Sequence, residues 1–283
     1  MINKTKYRIL RKKVLGTCLK LMDVEAPEIA AKGLPGQFII LRTDENGERI
    51  PLTIADLDRE KGLVTIIFQE VGRSTDDLGE MEEGQYLQDF VGPLGRPSEI
   101  EAFGTVVCVG GGVGVAPIYP ITRAMFEAGN RVISIIGARN ANQLILKEEM
   151  KQVSHELFVV SDDGSVGEKG LVTAPLQSIL DEEKVDRVVA VGPLVMMKAV
   201  CEVTRPYGVP TIVSLNPIMV DGTGMCGGCR VVVGGQTRFA CVDGPEFDGH
   251  QVDWDEARQR ARMFLPQEKA AREARGGGCA CRK

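Results

Sequence analysis

The stretch TVVCVGGGVGVAPIYPI, residues 105–121 of a 283-residue chain, decides the fold class. It opens as an apolar run of strand length, breaks into Gly110-Gly111-Gly112-Val113-Gly114-Val115-Ala116-Pro117, and continues with helical spacing to residue 128. A buried strand, a glycine turn and a helix in that order begin a doubly wound α/β unit. The same glycines and prolines interrupt the most apolar segment of the chain, which therefore does not read as a bilayer span.

The alternation continues downstream. Strand-like runs at 131–137, 156–161, 187–192 and 210–215 are separated by helical runs at 143–152, 173–180 and 196–205, which implies a parallel sheet. Upstream, residues 7–91 carry short β-like runs such as QFIILR (37–42) and LVTIIFQ (63–69), with Asn46-Gly47 and Lys61-Gly62 as turns. That spacing predicts a small antiparallel barrel or sandwich. Glycine-rich, irregular sequence occupies 216–245. An amphipathic helix follows, with Trp254, Ala257, Ala261, Phe264 and Leu265 on one face and Pro266 at its end. The tail EKAAREARGGGCACRK reads as loose. These shifts place unit boundaries at 1–98, 99–215 and 216–283.

Composition excludes several function classes. The formal charge is -5, with no basic block, so no nucleic-acid footprint is present. MINKTKYRILRKK has no apolar run after its positive charges, so no secretory signal is visible and a cytoplasmic location is the expectation. Eight cysteines without an export signal argue against a disulfide framework. Cys18, Cys108 and Cys201 fall in strand or helix patterns and read as small core residues, whereas Cys279 and Cys281 fall in the tail.

Gly112-Val113-Gly114-Val115-Ala116-Pro117 is a G-x-G-x-x-P loop. Its glycines allow close backbone approach, and the helix start offers N–H groups to a pyrophosphate. The other reading is a plain glycine turn. Two more strand ends belong to the same edge of such a sheet, Ser161-Asp162-Asp163-Gly164-Ser165 and Gly192-Pro193. Arg139 follows the second strand where an acidic residue would otherwise select NAD, so that rule does not separate NAD from NADP here.

Three cysteines crowd one segment as Asp221-x4-Cys226-x2-Cys229-x11-Cys241. A plant-type [2Fe–2S] centre uses C-x4-C-x2-C and a distant cysteine, so Asp221 stands where the first thiolate would be. Soft thiolates among glycines suit an iron–sulfur cluster or zinc, and both remain open on chemistry alone.

Taken with Arg49-Ile50-Pro51-Leu52-Thr53, these motifs make the chain resemble the ferredoxin–NADP⁺ reductase superfamily, in the branch containing the electron-transfer subunit of dihydroorotate dehydrogenase. Within it, the chain is more similar to the small subunits of NADH-dependent reduced ferredoxin:NADP⁺ oxidoreductases, also known as sulfide dehydrogenase subunits. GPEFDGHQVDWDEA near the end points the same way.

The resemblance implies a β-barrel FAD domain, an α/β doubly wound parallel-sheet nicotinamide domain and a small C-terminal iron–sulfur lobe. It implies that Arg49, Pro51, Leu52 and Thr53, then Ile67, Phe68, Gln69, Gly72, Arg73, Ser74 and Thr75, contact FAD. The usual R-x-Y-S register is altered, with Arg49 four residues before Thr53 and no tyrosine between them. Gly110, Gly111, Gly112, Gly114, Pro117, Arg139, Asp162, Asp163, Gly192 and Pro193 would bind NAD(H), and Asp221, Cys226, Cys229 and Cys241 would hold a [2Fe–2S] cluster. No protein nucleophile is expected. The implied partner is a larger flavin and iron–sulfur subunit linked to NADP(H) and ferredoxin. The alternatives are the electron-transfer subunit of a dihydroorotate dehydrogenase and, from another class, a zinc-binding interaction module.

Overall fold

The computed structural model describes residues 7–274; Cys279 and Cys281 lie outside the described residues. The first unit comprises β1 (Tyr7–Gly16), β2 (Leu19–Glu25), α1 (Pro27–Lys32), β3 (Phe38–Arg42), β4 (Ile50–Asp58), β5 (Leu63–Gln69), α2 (Arg73–Glu80), β6 (Tyr86–Leu87) and β7 (Asp89–Leu94). The strand order is β6-β1-β2-β5-β4-β3-β7, all antiparallel. The two end strands are consecutive in sequence, so the sheet curls into a nearly closed barrel. Met22, Ile39, Leu41, Ile66 and Phe68 fill it. β3 is apolar on both faces because Ile39 and Leu41 point into the barrel while Phe38 and Ile40 join a different core outside it.

The second unit follows the predicted alternation: β8 (Thr105–Gly111), α3 (Val115–Glu127), β9 (Arg131–Ala138), α4 (Lys147–Gln152), β10 (Glu156–Ser161), β11 (Glu168–Lys169), α5 (Thr173–Glu182), β12 (Arg187–Val191), α6 (Leu194–Thr204) and β13 (Thr211–Ser214). A hairpin of β14 (Arg230–Val233) and β15 (Gln236–Phe239) is followed by α7 (Ala240–Asp243), β16 (Glu246–Asp248), α8 (Trp254–Ala261) and α9 (Leu265–Ala274). The sheet order is β11-β10-β9-β8-β12-β13-β16, parallel except for β16, which runs antiparallel to β13. Both faces of the central β8 are fully buried, as expected of a sheet covered by helices.

Three details differ from expectation. The stretch 216–245 is not uniformly irregular: Gly234 (φ 59°) and Gly235 (φ 73°) close the β14–β15 hairpin, both left-handed as a tight two-residue turn requires. Pro266 does not end the last helix. The chain breaks at Arg262, and Pro266 lies at the second position of α9, where a missing N–H is harmless. The break also cuts the apolar face short, so Trp254 and Ala257 pack inward while Phe264 and Leu265 are exposed. Cys18 is buried, as read from the sequence, but it lies in the turn between β1 and β2 with a left-handed φ of 58° rather than in a strand, and it is disulfide-bonded; Cys108 and Cys201 are free and buried. Burial pushes both of those thiols up to about 12.

The two units pack along one apolar seam, where Leu19, Leu21, Ala55 and Ile67 of the barrel meet Val115, Ile118 and Ile121 of α3. Arg123 of α3 reinforces it with a 2.7 Å ion pair to Asp56 of β4. Among the described residues no helix is long and apolar enough to cross a membrane. Ile118 of α3 is fully buried, with its side chain against Gly110 of β8, so Ile118→Ala is expected to remove about 2–5 kcal/mol of stability, read as a lower urea midpoint. A change below about 1 kcal/mol would show that α3 is not anchored there.

Candidate functional site

Sequence-predicted residues fall at three places around this seam. On the barrel, β4 presents Pro51, Leu52 and Thr53, partly exposed and paired to β3 in the order Ile40↔Pro51, Ile39↔Leu52 and Phe38↔Thr53. Arg49 precedes β4, with its Nη2 3.5 Å from the Asp89 carboxylate. On the neighbouring β5, Ile67 packs into the seam, Phe68 is turned into the barrel core, and Gln69 is partly exposed. The following turn opens a helix, α2. Gly72 is its N-cap, and the Thr75 hydroxyl accepts the Gly72 N–H at 3.0 Å while donating to the Gly72 carbonyl at 2.9 Å. Ser74 donates to Glu48, and Arg73 sits 3.7 Å from Asp77. The Arg73–Asp77 pair is largely exposed and contributes little, and Asp89 keeps its 2.8 Å ion pair with Arg42 if Arg49 turns away, so both guanidinium groups can be offered to an anionic ligand at small cost.

The glycine loop lies at the carboxyl end of β8, beside the end of β12. A Cβ on Gly114 would overlap the Val191 carbonyl, and one on Gly111 would overlap the Met196 sulfur. Gly112 has φ 57° with open space beside it. Glycine is thus required for close approach at Gly114 and for backbone conformation at Gly112. No side chain caps α3, but its Val115 N–H is already bonded to the Gly112 and Val113 carbonyls and Pro117 has none, so the preceding Gly112–Gly114 turn is the part of this helix start that can offer N–H groups to an anion. β5 approaches the Gly112–Gly114 turn, which brings the barrel's candidate strand to the nucleotide loop.

Gly192 and Pro193 enter α6 directly opposite, with Met196 lodged between Gly111 and Gly192. Met196 is not among the binding residues expected from the sequence, although it belongs to the Gly192–Met197 stretch at that strand end; its signal is its place in the first turn of the helix after Gly-Pro. On the other side of β8, the turns bearing Arg139 and Asp163 are laced together. The Asp163 N–H donates to the Arg139 carbonyl at 3.3 Å, and Ala141 N–H donates to Ser165 at 2.8 Å. Hydrogen bonds from Ser165 hold the Asp163 carboxyl below the usual carboxylate range.

The cysteine segment leaves the sheet after β13 and returns through β16, its antiparallel neighbour. Gly222 (φ 76°) lets the loop lie directly on Leu94 and Ile40 of the barrel. Cys229 and Cys241 are 1% and 2% exposed, with their sulfurs 3.3 Å apart. Burial, then the neighbouring Cys229, pushes the Cys241 thiol up to about 12. Cys226 is exposed. Gly228 N–H is directed at its sulfur and Cys241 N–H at the Cys229 sulfur, each at 3.5 Å. Asp221 accepts from Thr223 N–H at 2.9 Å and Cys226 N–H at 2.7 Å, and these bonds hold its carboxyl below the usual range.

Among the described residues, no three His, Cys, Asp or Glu side chains converge on a common point. The donors nevertheless fit an iron–sulfur group. Two sulfurs on one tetrahedral metal lie roughly 3.8 Å apart, close to the observed 3.3 Å of the buried pair. Backbone N–H groups face sulfur, and the third thiol and the carboxylate share the loop outside.

Comparison with known proteins agrees with this layout. Residues 216–253 match the iron–sulfur cluster binding domain of dihydroorotate dehydrogenase B, and residues 108–202 match the oxidoreductase NAD-binding domain. The chain is 50% identical over 250 residues to a dihydroorotate dehydrogenase B (NAD(+)) electron transfer subunit homolog of Thermotoga maritima, covering 88% of each chain. It is 32% identical to the dihydroorotate dehydrogenase B electron transfer subunit of Desulforamulus reducens, covering 83% of this chain and 92% of that one. A chain solved in the structure of the NADH-dependent reduced ferredoxin-NADP oxidoreductase, described for flavin-based electron bifurcation, superposes with a TM-score of 0.91 at 47% identity. That match covers 97% of this chain and 99% of the other. The cytochrome b5 reductase domain of Ulva prolifera nitrate reductase shares the fold, with a TM-score of 0.59 at 16% identity over 72% of this chain and 94% of that one.

The glycine loop can be tested by stability. Gly114→Ala meets backbone that cannot move aside and is expected to cost more than Gly112→Ala, whose left-handed strain is about 1–2 kcal/mol. Urea unfolding of both variants checks the order; the reverse order would show that the loop does not depend on its approach to β12.

Proposed function

The chain belongs to the family of electron-transfer subunits of dihydroorotate dehydrogenase B, with an NAD-binding domain followed by an iron–sulfur cluster binding domain, and from that premise we propose what it does. It exchanges hydride with NAD(H) at an FAD on the barrel and single electrons with a [2Fe–2S] cluster held by Asp221, Cys226, Cys229 and Cys241. It does so within a heteromeric NADH-dependent ferredoxin:NADP⁺ oxidoreductase. The observation that carries this reading is the buried Cys229–Cys241 pair, 3.3 Å apart, inside the segment matched to an iron–sulfur domain.

When bound, the flavin and cluster supply the conversion between two-electron and one-electron transfer. The protein's own residues bind and orient. Arg49 and Arg73 offer guanidinium groups to the flavin's diphosphate beside Thr53 and Ser74. The Gly110–Gly114 backbone leading into α3 receives the nicotinamide nucleotide's diphosphate. Pro193 and Met196 border the site from α6, and Arg139 with Asp162 and Asp163 border it from the β9 and β10 ends. No nucleophile or proton relay is needed, consistent with Cys108 and Cys201 being held as buried thiols.

The partner in this reading is a larger flavin and iron–sulfur subunit that handles NADP(H) and ferredoxin. The near full-length likeness to a chain of such an oxidoreductase supports it. So does an apolar surface around the cysteine loop, where Ile218, Val220 and Val242 are exposed and Met225 is 89% exposed. A barrel-shaped FMN subunit copurifying instead would assign the chain to a dihydroorotate dehydrogenase.

The visible spectrum of the purified protein is expected to combine flavin bands with broad iron–sulfur absorption. A colourless protein containing zinc would refute the reading. Asp221→Ala and Asp221→Cys are each expected to alter the cluster's EPR spectrum and midpoint potential. Unchanged values in both variants would remove Asp221 from the ligand set.

A further inference from the structure

We propose that Arg260 is a positioning residue that raises the electron affinity of the cluster, a role that rests on the ligand set given above. Arg260 lies on α8, whose N-terminus is fixed by the Asp253 carboxylate accepting Asp255 N–H at 3.2 Å and Glu256 N–H at 2.9 Å. Trp254 and Ala257 set the inward face of that helix, and Arg260 continues it at the same spacing. The arginine side chain is accordingly only 19% exposed.

Its guanidinium has a defined target. Nη2 donates to the Gly228 carbonyl at 2.9 Å, within the two-residue turn between Cys226 and Cys229. The N–H of the same Gly228 is directed at the Cys226 sulfur at 3.5 Å. One side chain therefore both clamps the turn that spaces two proposed ligands and sets a permanent positive charge beside it. Arg230 flanks the turn on the Gly227 side. Glu256 opposes both charges, but its Oε1 is 3.7 Å from Arg260 Nε, and burial raises its pKa. The remaining nearby carboxylate on this helix, Asp253, is engaged by backbone N–H groups.

The consequence is electrostatic. Every ligand in the set, three thiolates and one carboxylate, is anionic, and each electron accepted adds another negative charge. A fixed cation in a partly desolvated position favours the reduced form more than the oxidised one. A neutral side chain at residue 260 would remove that preference even where it still bonded Gly228.

Three variants separate charge from geometry, read by EPR-monitored redox titration of the flavin- and cluster-loaded protein, with iron and sulfide assayed alongside. Arg260→Gln keeps an N–H donor and loses the charge; it is expected to make the cluster about tenfold harder to reduce, about 59 mV for one electron. Arg260→Lys keeps the charge and is expected to stay much nearer the wild type. Glu256→Gln removes the opposing carboxylate without touching the turn and is expected to shift the potential the opposite way. A wild-type potential in fully loaded Arg260→Gln overturns the proposal, as do equal shifts in the glutamine and lysine variants. If Arg260→Gln does not retain iron, the Glu256→Gln potential decides: a rise supports the proposal, and no change or a fall overturns it. A wild-type protein with no [2Fe–2S] signal would instead refute the ligand set itself.

Discussion

One apolar core holds the three parts of this molecule in register. It takes Phe38 and Ile40 from the outer face of the barrel, Val107, Ile133 and Val188 from the parallel sheet, and Cys229, Val231, Ala240 and Cys241 from the cysteine segment. Burial of that shared surface is non-directional and favourable in proportion to area. Two of the three clustered cysteines are members of this core, so the place where a cluster would sit is fixed by the same packing that fixes the barrel against the sheet.

Polar fittings then define orientation. Gln37 donates to the Gly95 carbonyl at 2.8 Å, Arg96 N–H donates to the Gly244 carbonyl at 2.7 Å, and Ser98 donates to Glu246 at 2.6 Å. The first joins the barrel to the connector after β7, and the other two join that connector to the segment returning to β16. Burial raises the pKa of Glu246, against the pull of its Ser98 hydrogen bond. Gly95 lies against Phe38 and Gly244, where any side chain would separate the surfaces. An apolar core alone would tolerate sliding, whereas these directional bonds do not.

The alternating periods of residues 105–215 make the parallel sheet legible, because its central strands β8, β9 and β12 are buried on both faces and read as apolar runs between helical segments. The barrel is legible as short strands but not as a closed order, since pairing is decided by contacts distant in sequence. The hairpin at Gly234-Gly235 has a local signal, two glycines between β-rich flanks, that the surrounding glycine-rich text masks. The face of α8 is not legible beyond Ala261, because a periodic pattern carries no mark for the break at Arg262. At the site, cysteine spacing locates the segment, but it cannot show that Asp221 is bonded to the loop's own N–H groups or that Arg260 reaches the Gly228 carbonyl.

The four proposed ligands are physically unequal, and that inequality bears on how electrons leave. Cys229 and Cys241 are embedded in the shared core, while Asp221 and Cys226 lie on the outer turn beside exposed Met225. A thiolate in the core is held by packing and shielded from water; a carboxylate on the surface is held only by two backbone N–H groups and is already ionised at neutral pH. The inner pair therefore gives position and the outer pair gives access. With Ile218, Val220 and Val242 surrounding that outer face, the least shielded side of the loop coincides with the most apolar exposed surface near it. A cluster seated there would be anchored to the barrel through Ile40 and Leu94 beneath Gly222. It would be approached from outside through that exposed apolar face rather than through bulk protein.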